Sequence, residues 1–346
     1  MDKIKIGILG TSDIAFRRFL PALKSNGNFE YVGLAVANDD EWSTKMGDSE
    51  YENHLEKRKK RINDFCMDFG GKVFDGYERL LKSDEIEAVY IPLPPALHYK
   101  WAAIALESGK NVLLEKPFTT NLTETRELID IARKNNLAIH ENYAFCFHKQ
   151  IKEIQKLIDS GEIGELRHIR SSFGFPYRGA EDFRYDKELG GGALLDCGGY
   201  TLKIASLLLG KSAKITTAVL NNAKGHDVDI FGSATLMNDD FITAQVSFGM
   251  DNSYKCELEV WGSEGCIFAP RIFTPTANMK LILSIKNKNE TNLEIPMDDQ
   301  FVGSLNHFYK CICDDSIKFD NFEEVEKQSK LVEDVRKLNE KNIIHN

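Results

Sequence analysis

Lys3-Ile4-Lys5-Ile6-Gly7-Ile8-Leu9-Gly10-Thr11-Ser12-Asp13-Ile14-Ala15 reads as a short apolar strand, a glycine turn and the start of a helix. Phe16, Phe19, Leu20 and Leu23 carry the helical spacing on towards Lys24. Phe29 to Ala37 follows as a second strand with few polar interruptions, as parallel strands have when both faces are covered. Strand, glycine turn, helix and strand in this order open a doubly wound nucleotide-binding sheet. Amides at such a turn attract a pyrophosphate, and glycine lets it come close. Gly7, Gly10 and Ala15 hold the turn, approach and packing positions, but Ser12 stands where a middle glycine is expected. The fingerprint therefore fits any tight strand-helix turn equally well. On the nucleotide reading, Gly10, Thr11, Ser12, Asp13 and Ile14 are the candidate cofactor contacts.

The alternation continues with helices at 55–69, 77–81 and 98–107 and strands at 88–92 and 111–114. The polar, acidic stretch from Asn38 to Glu56 interrupts it and is expected to be an insertion or long loop. The end of the second strand discriminates between nicotinamide cofactors. An acidic residue there bonds ribose hydroxyls, and an Arg accommodates a 2′-phosphate. Asn38-Asp39-Asp40 suits the first; Lys57 and Arg58 fall near the position of a phosphate-binding Arg. The run Lys57-Arg58-Lys59-Lys60-Arg61 is also what a solvated helix face looks like. NAD and NADP both stay open, with the balance towards NADP.

Beyond Thr120 a helix at 122–135 and a strand at 137–141 continue the pattern, and then the chain becomes strand-rich. Alternating runs at 168–173, 214–220, 229–237, 243–249 and 255–262 predict a mainly antiparallel sheet, and a charged helix covers 322–341. The expected fold is α/β: a Rossmann domain over 1–120 and an α+β domain over 121–346. With 346 residues, 42% hydrophobic and 28% charged content and a net charge of −9, the chain suits a two-domain globular protein and not a general nucleic-acid or membrane binder. The first apolar run is too short and too interrupted for an export signal, and seven scattered cysteines suit a reducing cytoplasm. Cys311-Ile312-Cys313, with no matching pair nearby, reads as a helix end, and no metal site is expected.

Two further segments carry chemistry. Glu115-Lys116-Pro117 lies at the carboxyl end of a strand, where such sheets bind ligands. Gly190-Gly191-Gly192-Ala193-Leu194-Leu195-Asp196-Cys197-Gly198-Gly199-Tyr200 opens an apolar helix that stops at Gly210. Asp196 and Tyr200, four residues apart, share one face of it. A Tyr at that spacing is more often packing than catalysis, so the weight comes from the pairing with Lys116.

These segments resemble the glucose-fructose oxidoreductase / inositol dehydrogenase superfamily, Gfo/Idh/MocA, over nearly the whole chain. The resemblance rests on the opening turn, on Tyr90-Ile91-Pro92-Leu93-Pro94-Pro95-Ala96-Leu97-His98, on Ala105 to Pro117, on Gly161-Glu162-Ile163-Gly164, and on Phe183-Arg184-Tyr185 leading into the glycine run. It implies a Rossmann domain, an open-faced sheet domain used for contacts in a homodimer or homotetramer, and hydride transfer with NAD or NADP. Two departures matter. Leu93-Pro94-Pro95 replaces Thr-Pro-Asn, and Tyr200 stands where many members carry His. The Tyr form is similar to the branch holding glucose-fructose oxidoreductase, dimeric dihydrodiol dehydrogenase and sugar-nucleotide 3-ketoreductases. Leu93 to His98 and Pro296 to Phe301 point towards the ketoreductases.

On that resemblance Tyr200 is the general acid and Lys116 its activator, and the Lys116–Pro117 bond is expected to be cis. A lysine ~4 Å away at an effective dielectric of ~20 favours a phenolate by about 4 kcal/mol. Asp196 either orients substrate hydroxyls or serves as a helix-start carboxylate. Asn38, Leu93, Pro94, His98 and Glu115 join the cofactor contacts, although His98 reads first as a packing or capping residue. Tyr143, Phe173, Tyr177 and Arg184 are candidates for the substrate pocket, with core packing and a structural ion pair as their plainer roles. The leading expectation is reduction of a nucleotide-linked 3-ketohexose in deoxysugar synthesis. Dehydrogenation of a free sugar or trans-dihydrodiol is the alternative, and a catalytically silent nucleotide sensor is the second.

Overall fold

The computed structural model describes residues 3–38, 41 and 48–344; Asp39 and Asp40 lie outside the described residues. The chain forms two compact units, one of residues 1–118, 124–142 and 304–323 and one of 119–123, 143–303 and 324–346. After residues 119–123 the chain returns to the first unit over 124–142, and it returns again at Ser304.

The first unit is built on strands β1 (Ile4–Leu9), β2 (Phe29–Val36), β3 (Lys72–Asp75), β4 (Ala88–Ile91), β5 (Asn111–Leu114) and β6 (Ile139–Glu141). They form one sheet in the order β3-β2-β1-β4-β5-β6, and every pairing is parallel. Helices α1 (Leu20–Ser25), α2 (Asp48–Phe69), α3 (Tyr77–Leu81), α4 (His98–Glu107) and α5 (Leu122–Lys134) connect them. β4 is buried along its whole length, which is why it reads as an unbroken apolar run. Strand order reverses between β1 and β4, so their carboxyl ends border the crevice where such sheets take ligands. One expectation fails here: the polar stretch is helical from Asp48, not loop as far as Glu56. The stretch has no Gly or Pro between Gly47 and Glu56 to interrupt a helix.

The second unit contains α6 (Lys149–Asp159), β7 (Leu166–Gly174), α7 (Gly199–Leu209) and strands β8 (Lys214–Asn221), β9 (Phe231–Met237), β10 (Thr243–Gly249), β11 (Lys255–Gly262), β12 (Cys266–Ala269), β13 (Leu281–Lys286) and β14 (Glu290–Ile295). The sheet order is β14-β13-β12-β11-β7-β10-β9-β8; β7 and β10 run parallel and the other pairs antiparallel. α7 packs on β7, β9 and β10 and buries Leu202, Ile204 and Ala205. The opposite face is open: Val219, Phe231, Trp261 and Ile282 are exposed while Ala218, Ala234, Val260 and Leu283 are buried. β12 to β14 were not anticipated, because their outward positions are mostly polar and their apolar runs are short. Helices α8 (Gln300–Cys313) and α9 (Asp315–Ile344) complete the chain. Cys311-Ile312-Cys313 closes α8 as read, whereas the last helix starts at Asp315 and not at Phe322. No described helix is long and apolar enough to cross a membrane.

Candidate active site

Gly10 ends β1 and donates its N–H to Ala35 O at 2.8 Å, which fixes the turn beside β2. Ser12 caps the helical segment that follows: its Oγ accepts from Ala15 N at 3.3 Å and its carbonyl from Phe16 N at 3.2 Å. Asp13 pairs with Arg61, whose Nε also donates to Thr11 O at 3.2 Å, and Arg58 donates to Ala37 O. Within the basic run, Arg58 and Arg61 are half-buried while Lys57, Lys59 and Lys60 are exposed. A three-residue spacing thus turns two guanidiniums onto one face of α2, over the ends of β1 and β2.

Asn38, two residues past β2, closes a turn, its Oδ1 accepting from Glu41 N at 3.0 Å. The Glu41 carboxylate accepts from the N–H groups of Asn38, Tyr77 and Glu78 at 3.0, 2.7 and 2.9 Å, which caps α3. Sequence reasoning overlooked Glu41; its signal was an acidic residue three places beyond Asn38 with a helix start to neutralise.

Leu93 and Pro94 follow β4, and the His98 ring ties them to the next strand end. His98 Nδ1 lies 2.8 Å from Pro117 O, and Nε2 lies 2.8 Å from Leu93 O. The two carbonyls favour a charged ring, but burial outweighs them and pushes the pKa down to about 4. The His98 ring therefore bridges the two loops and, when neutral, donates to one of the two carbonyls. The Lys116–Pro117 peptide bond is cis. Glu115 is buried; its Oε1 accepts from Tyr90 Oη and Asn142 Nδ2, both at 2.6 Å, and its Oε2 from Lys116 N at 3.3 Å. Burial raises its pKa, while the Tyr90 and Asn142 hydrogen bonds and the Lys116 charge oppose that rise.

In the second unit the glycine run packs against protein. Gly191 and Gly192 donate to Asp186 O and Arg184 O at 2.8 and 2.9 Å, and a Cβ on Gly191 would meet Arg184 O at 2.4 Å. Gly192, at φ +119°, also leaves room for the Asp229 carboxylate, which accepts from Leu194 N at 2.6 Å. Asp229 is a second residue that sequence reasoning overlooked. Asp196 sits on the π-helical turn Leu194–Gly198, and its Oδ2 accepts from Arg184 Nε at 2.9 Å. Arg184 Nη1 also pairs with Asp182 at 3.0 Å. Burial alone would lower the Arg184 pKa, but the two carboxylates outweigh it and raise it. Arg184 is thus in the ion pair foreseen as its plainer role.

Tyr200, in the first turn of α7, lies within an aromatic surround. Ring centroids of Tyr143, Phe173, Phe145 and Phe273 stand 5.1, 5.2, 5.6 and 5.6 Å from its own. Tyr143 and Phe173 are therefore brought together with Tyr200. Gly199 permits this approach, since a Cβ there would lie 2.0 Å from Tyr143 Oη. Phe145 was legible as the next residue but one after Tyr143; Phe273, in an irregular segment between Pro270 and Pro275, was not. Tyr177 stands apart, 48% exposed, with its ring 4.7 Å from Tyr185 and 6.3 Å from His226.

Residues 4–143 match the GFO/IDH/MocA oxidoreductase family with its NAD-binding Rossmann fold, and residues 151–268 match the GFO/IDH/MocA C-terminal domain. The chain is 35% identical over 334 residues to dTDP-3,4-didehydro-2,6-dideoxy-alpha-D-glucose 3-reductase of Actinomadura kijaniata, covering 96% of this chain and 95% of that protein. It is 30% identical over 296 residues to D-xylose 1-dehydrogenase (NADP(+)) 2 of Haloferax volcanii, covering 84% of each. The crystal structure of KijD10, a 3-ketoreductase from Actinomadura kijaniata in complex with NADP and TDP-benzene, matches with a TM-score of 0.87 at 34% identity, covering 97% of this chain and 98% of that one.

The His98 bracket has a measurable cost. Replacing it (His98→Asn) strands one buried carbonyl or both, and is expected to lower the unfolding free energy by about 2–4 kcal/mol. Since the folded pKa of about 4 lies below the ordinary value of 6.5, the ring's contribution is whole above pH 6.5. It declines as pH falls through that window, by about 3 kcal/mol in all. Urea unfolding on either side of the window should show the gap between parent and variant shrinking with acidity; a constant gap contradicts the assignment.

Proposed function

The chain belongs to the GFO/IDH/MocA family of oxidoreductases, and we propose that it reduces the 3-keto group of a dTDP-linked deoxyhexose with NADPH. The observation that carries the reading is Tyr200 in its aromatic surround, in a chain that keeps Glu115-Lys116-Pro117 and is 35% identical to a dTDP-sugar 3-reductase. Lysine and tyrosine variants of KijD10 have been solved, and those two residues stand as far apart in its chain as Lys116 and Tyr200 do in this one.

The bound nicotinamide supplies the hydride. Tyr200 gives its proton to the substrate oxygen as negative charge develops there. Lys116 stabilises the resulting phenolate and holds the same oxygen by a hydrogen bond. Asp196, fixed by Arg184, orients a sugar hydroxyl. Tyr143 and Phe173 present apolar faces to the sugar ring, and Tyr177, beside Tyr185 and His226, offers a partly exposed aromatic face to the nucleotide base.

The residues around the ends of β1 and β2 suit a dinucleotide with a 2′-phosphate. The turn Gly10 to Ile14 takes the pyrophosphate, Arg58 takes the 2′-phosphate beside Asn38, and Arg61 braces the turn. Leu93, Pro94 and Glu115 place the nicotinamide end, with His98 behind them. The open face of the second sheet forms the contact of a homodimer or homotetramer, and seven free thiols suit the cytoplasm. The match to a D-xylose dehydrogenase favours a second reading, oxidation of a free sugar.

A panel of free and dTDP-linked ketosugars and diols, followed by nicotinamide absorbance, separates the two readings. Turnover confined to dTDP-linked ketones supports the first; turnover of free sugars alone overturns it. Lys116→Met and Tyr200→Phe are each expected to cut kcat about 10²–10⁴-fold. Arg58→Ala should raise the KM for NADPH about 10–100-fold and leave that for NADH nearly unchanged. An equal effect on both cofactors removes Arg58 from the 2′-phosphate.

A further inference from the structure

A buried chain of hydrogen bonds leads away from Glu115 and plays no part in the chemistry above. Asn142 Nδ2 donates to Glu115 Oε1 at 2.6 Å, and Ser304 Oγ lies 2.7 Å from Asn142 Oδ1. His140 Nε2 lies 3.2 Å from Ser304 Oγ, and its Nδ1 lies 2.7 Å from Asn321 Oδ1. Asn321 Nδ2 donates to Ile139 O at 2.7 Å. All five side chains are buried and belong to the first unit.

With Glu115 ionised, counting hydrogens fixes the polarity of this chain. A backbone carbonyl can only accept, so Ile139 O fixes the Asn321 amide with its oxygen towards His140. His140 Nδ1 therefore carries a hydrogen. At the other end an ionised Glu115 can only accept, so Asn142 gives it an N–H and turns its oxygen to Ser304. A serine has one hydrogen, and here it goes to Asn142. The remaining contact, between Ser304 Oγ and His140 Nε2, then closes only if Nε2 also carries a hydrogen. A ring protonated at both nitrogens is an imidazolium. A neutral ring beside an ionised Glu115 leaves one buried bond unmade, where that is most costly.

We propose that His140 is a buried imidazolium paired with the Glu115 carboxylate through Ser304 and Asn142, and that His140 and Ser304 are positioning residues for Lys116. The second part rests on the catalytic reading of Lys116; the first does not. Tyr90 and Lys116 face the Glu115 end, and the His307 ring, 4.9 Å away, faces the His140 end. The charged ring offsets the burial that works against the Glu115 carboxylate. It thereby keeps a fixed negative group next to the Lys116 ammonium.

Imidazole ¹⁵N shifts of the full chain labelled at histidine test the pairing, with His140→Gln to assign the signal. In the parent His140 is expected to stay charged at least about one pH unit above the ordinary imidazole value of about 6.5. Glu115→Gln and, independently, Ser304→Ala should each turn the ring neutral near pH 7. A neutral ring in the parent, or a charged ring in both variants, overturns the proposal. For the positioning role, Ser304→Ala should lower kcat about 10-fold with cofactor KM unchanged, and Ser304→Thr should restore it. An unaltered kcat in Ser304→Ala overturns that role. If Lys116→Met keeps full turnover, the catalytic reading fails, while the ring's charge still decides the pairing.

Discussion

A carboxylate buried at the end of a parallel strand must be satisfied from inside the protein, and Glu115 places that demand on everything around it. Leaving such a group bare would cost far more than any single packing contact returns. Its partners come from three directions: Tyr90 from β4, Asn142 from the segment after β6, and the N–H of Lys116. Each is held in turn. Tyr90 stacks on Phe19 with ring centroids 3.8 Å apart, and Asn142 meets Ser304 of α8. The return of the chain to this unit at Ser304 thus supplies a hydrogen-bonding group that the six strands lack. The residue that follows Glu115 inherits this rigidity, which the role proposed for Lys116 demands of a group that must meet a developing charge without reorganising.

The second unit meets a similar demand with different means. Its glycine run allows two backbones to approach so closely that side chains are excluded, and Asp229 caps the turn that results. The helix that starts there carries Asp196 and Tyr200 in known orientations before any ligand arrives. Four aromatic rings then limit where the Tyr200 phenol can point. Pro296 to Phe301, read as a family signature, has a plain structural purpose. Asp298 accepts from Lys149 N at 2.7 Å at the start of α6, and Asp299 accepts from Phe301 N at 2.9 Å at the start of α8.

Much of this was legible in the sequence because period and punctuation are local. Five of the six parallel strands of the first unit announce themselves as apolar runs, whereas β3, with Lys72 and Asp75 at its ends, was not anticipated; β10 and β11 end where alternation and turn residues place them. Motif and spacing singled out Lys116, Tyr200 and Asp196 as candidates, and the structure gathers Tyr143 and Phe173 around Tyr200. What stayed hidden depends on pairing across long separations. Glu41, Asp229, Ser304 and Phe273 acquire meaning only from the helix start, turn, amide or ring that the fold sets against them. The helix that begins at Asp48 was missed for another reason. A charged stretch without apolar period resembles a loop, even though its residues are good helix formers. Arg58 and Arg61 show the same limit from the other side. A run of five basic residues looks uniform until burial separates its two arginines from its lysines.

The Arg184 ion pair explains how labour is divided on α7 and the turn before it. A guanidinium that is four-fifths removed from solvent has paid a large desolvation cost, and one carboxylate rarely compensates for it. Asp182 adds a second, on the same short loop that the glycines pack against. With both in place, Asp196 is engaged through its Oδ2 and its position is set by a planar, directional partner. Such a carboxylate is well suited to orienting a hydroxyl and poorly suited to carrying a mobile proton. The phenol four residues on has different surroundings: its ring is set among four others, which fix its direction. An aspartate held by arginine and a tyrosine held by aromatics thus stand on one helical face in different surroundings, and the proposed division between orientation and proton transfer in ketone reduction rests on that difference.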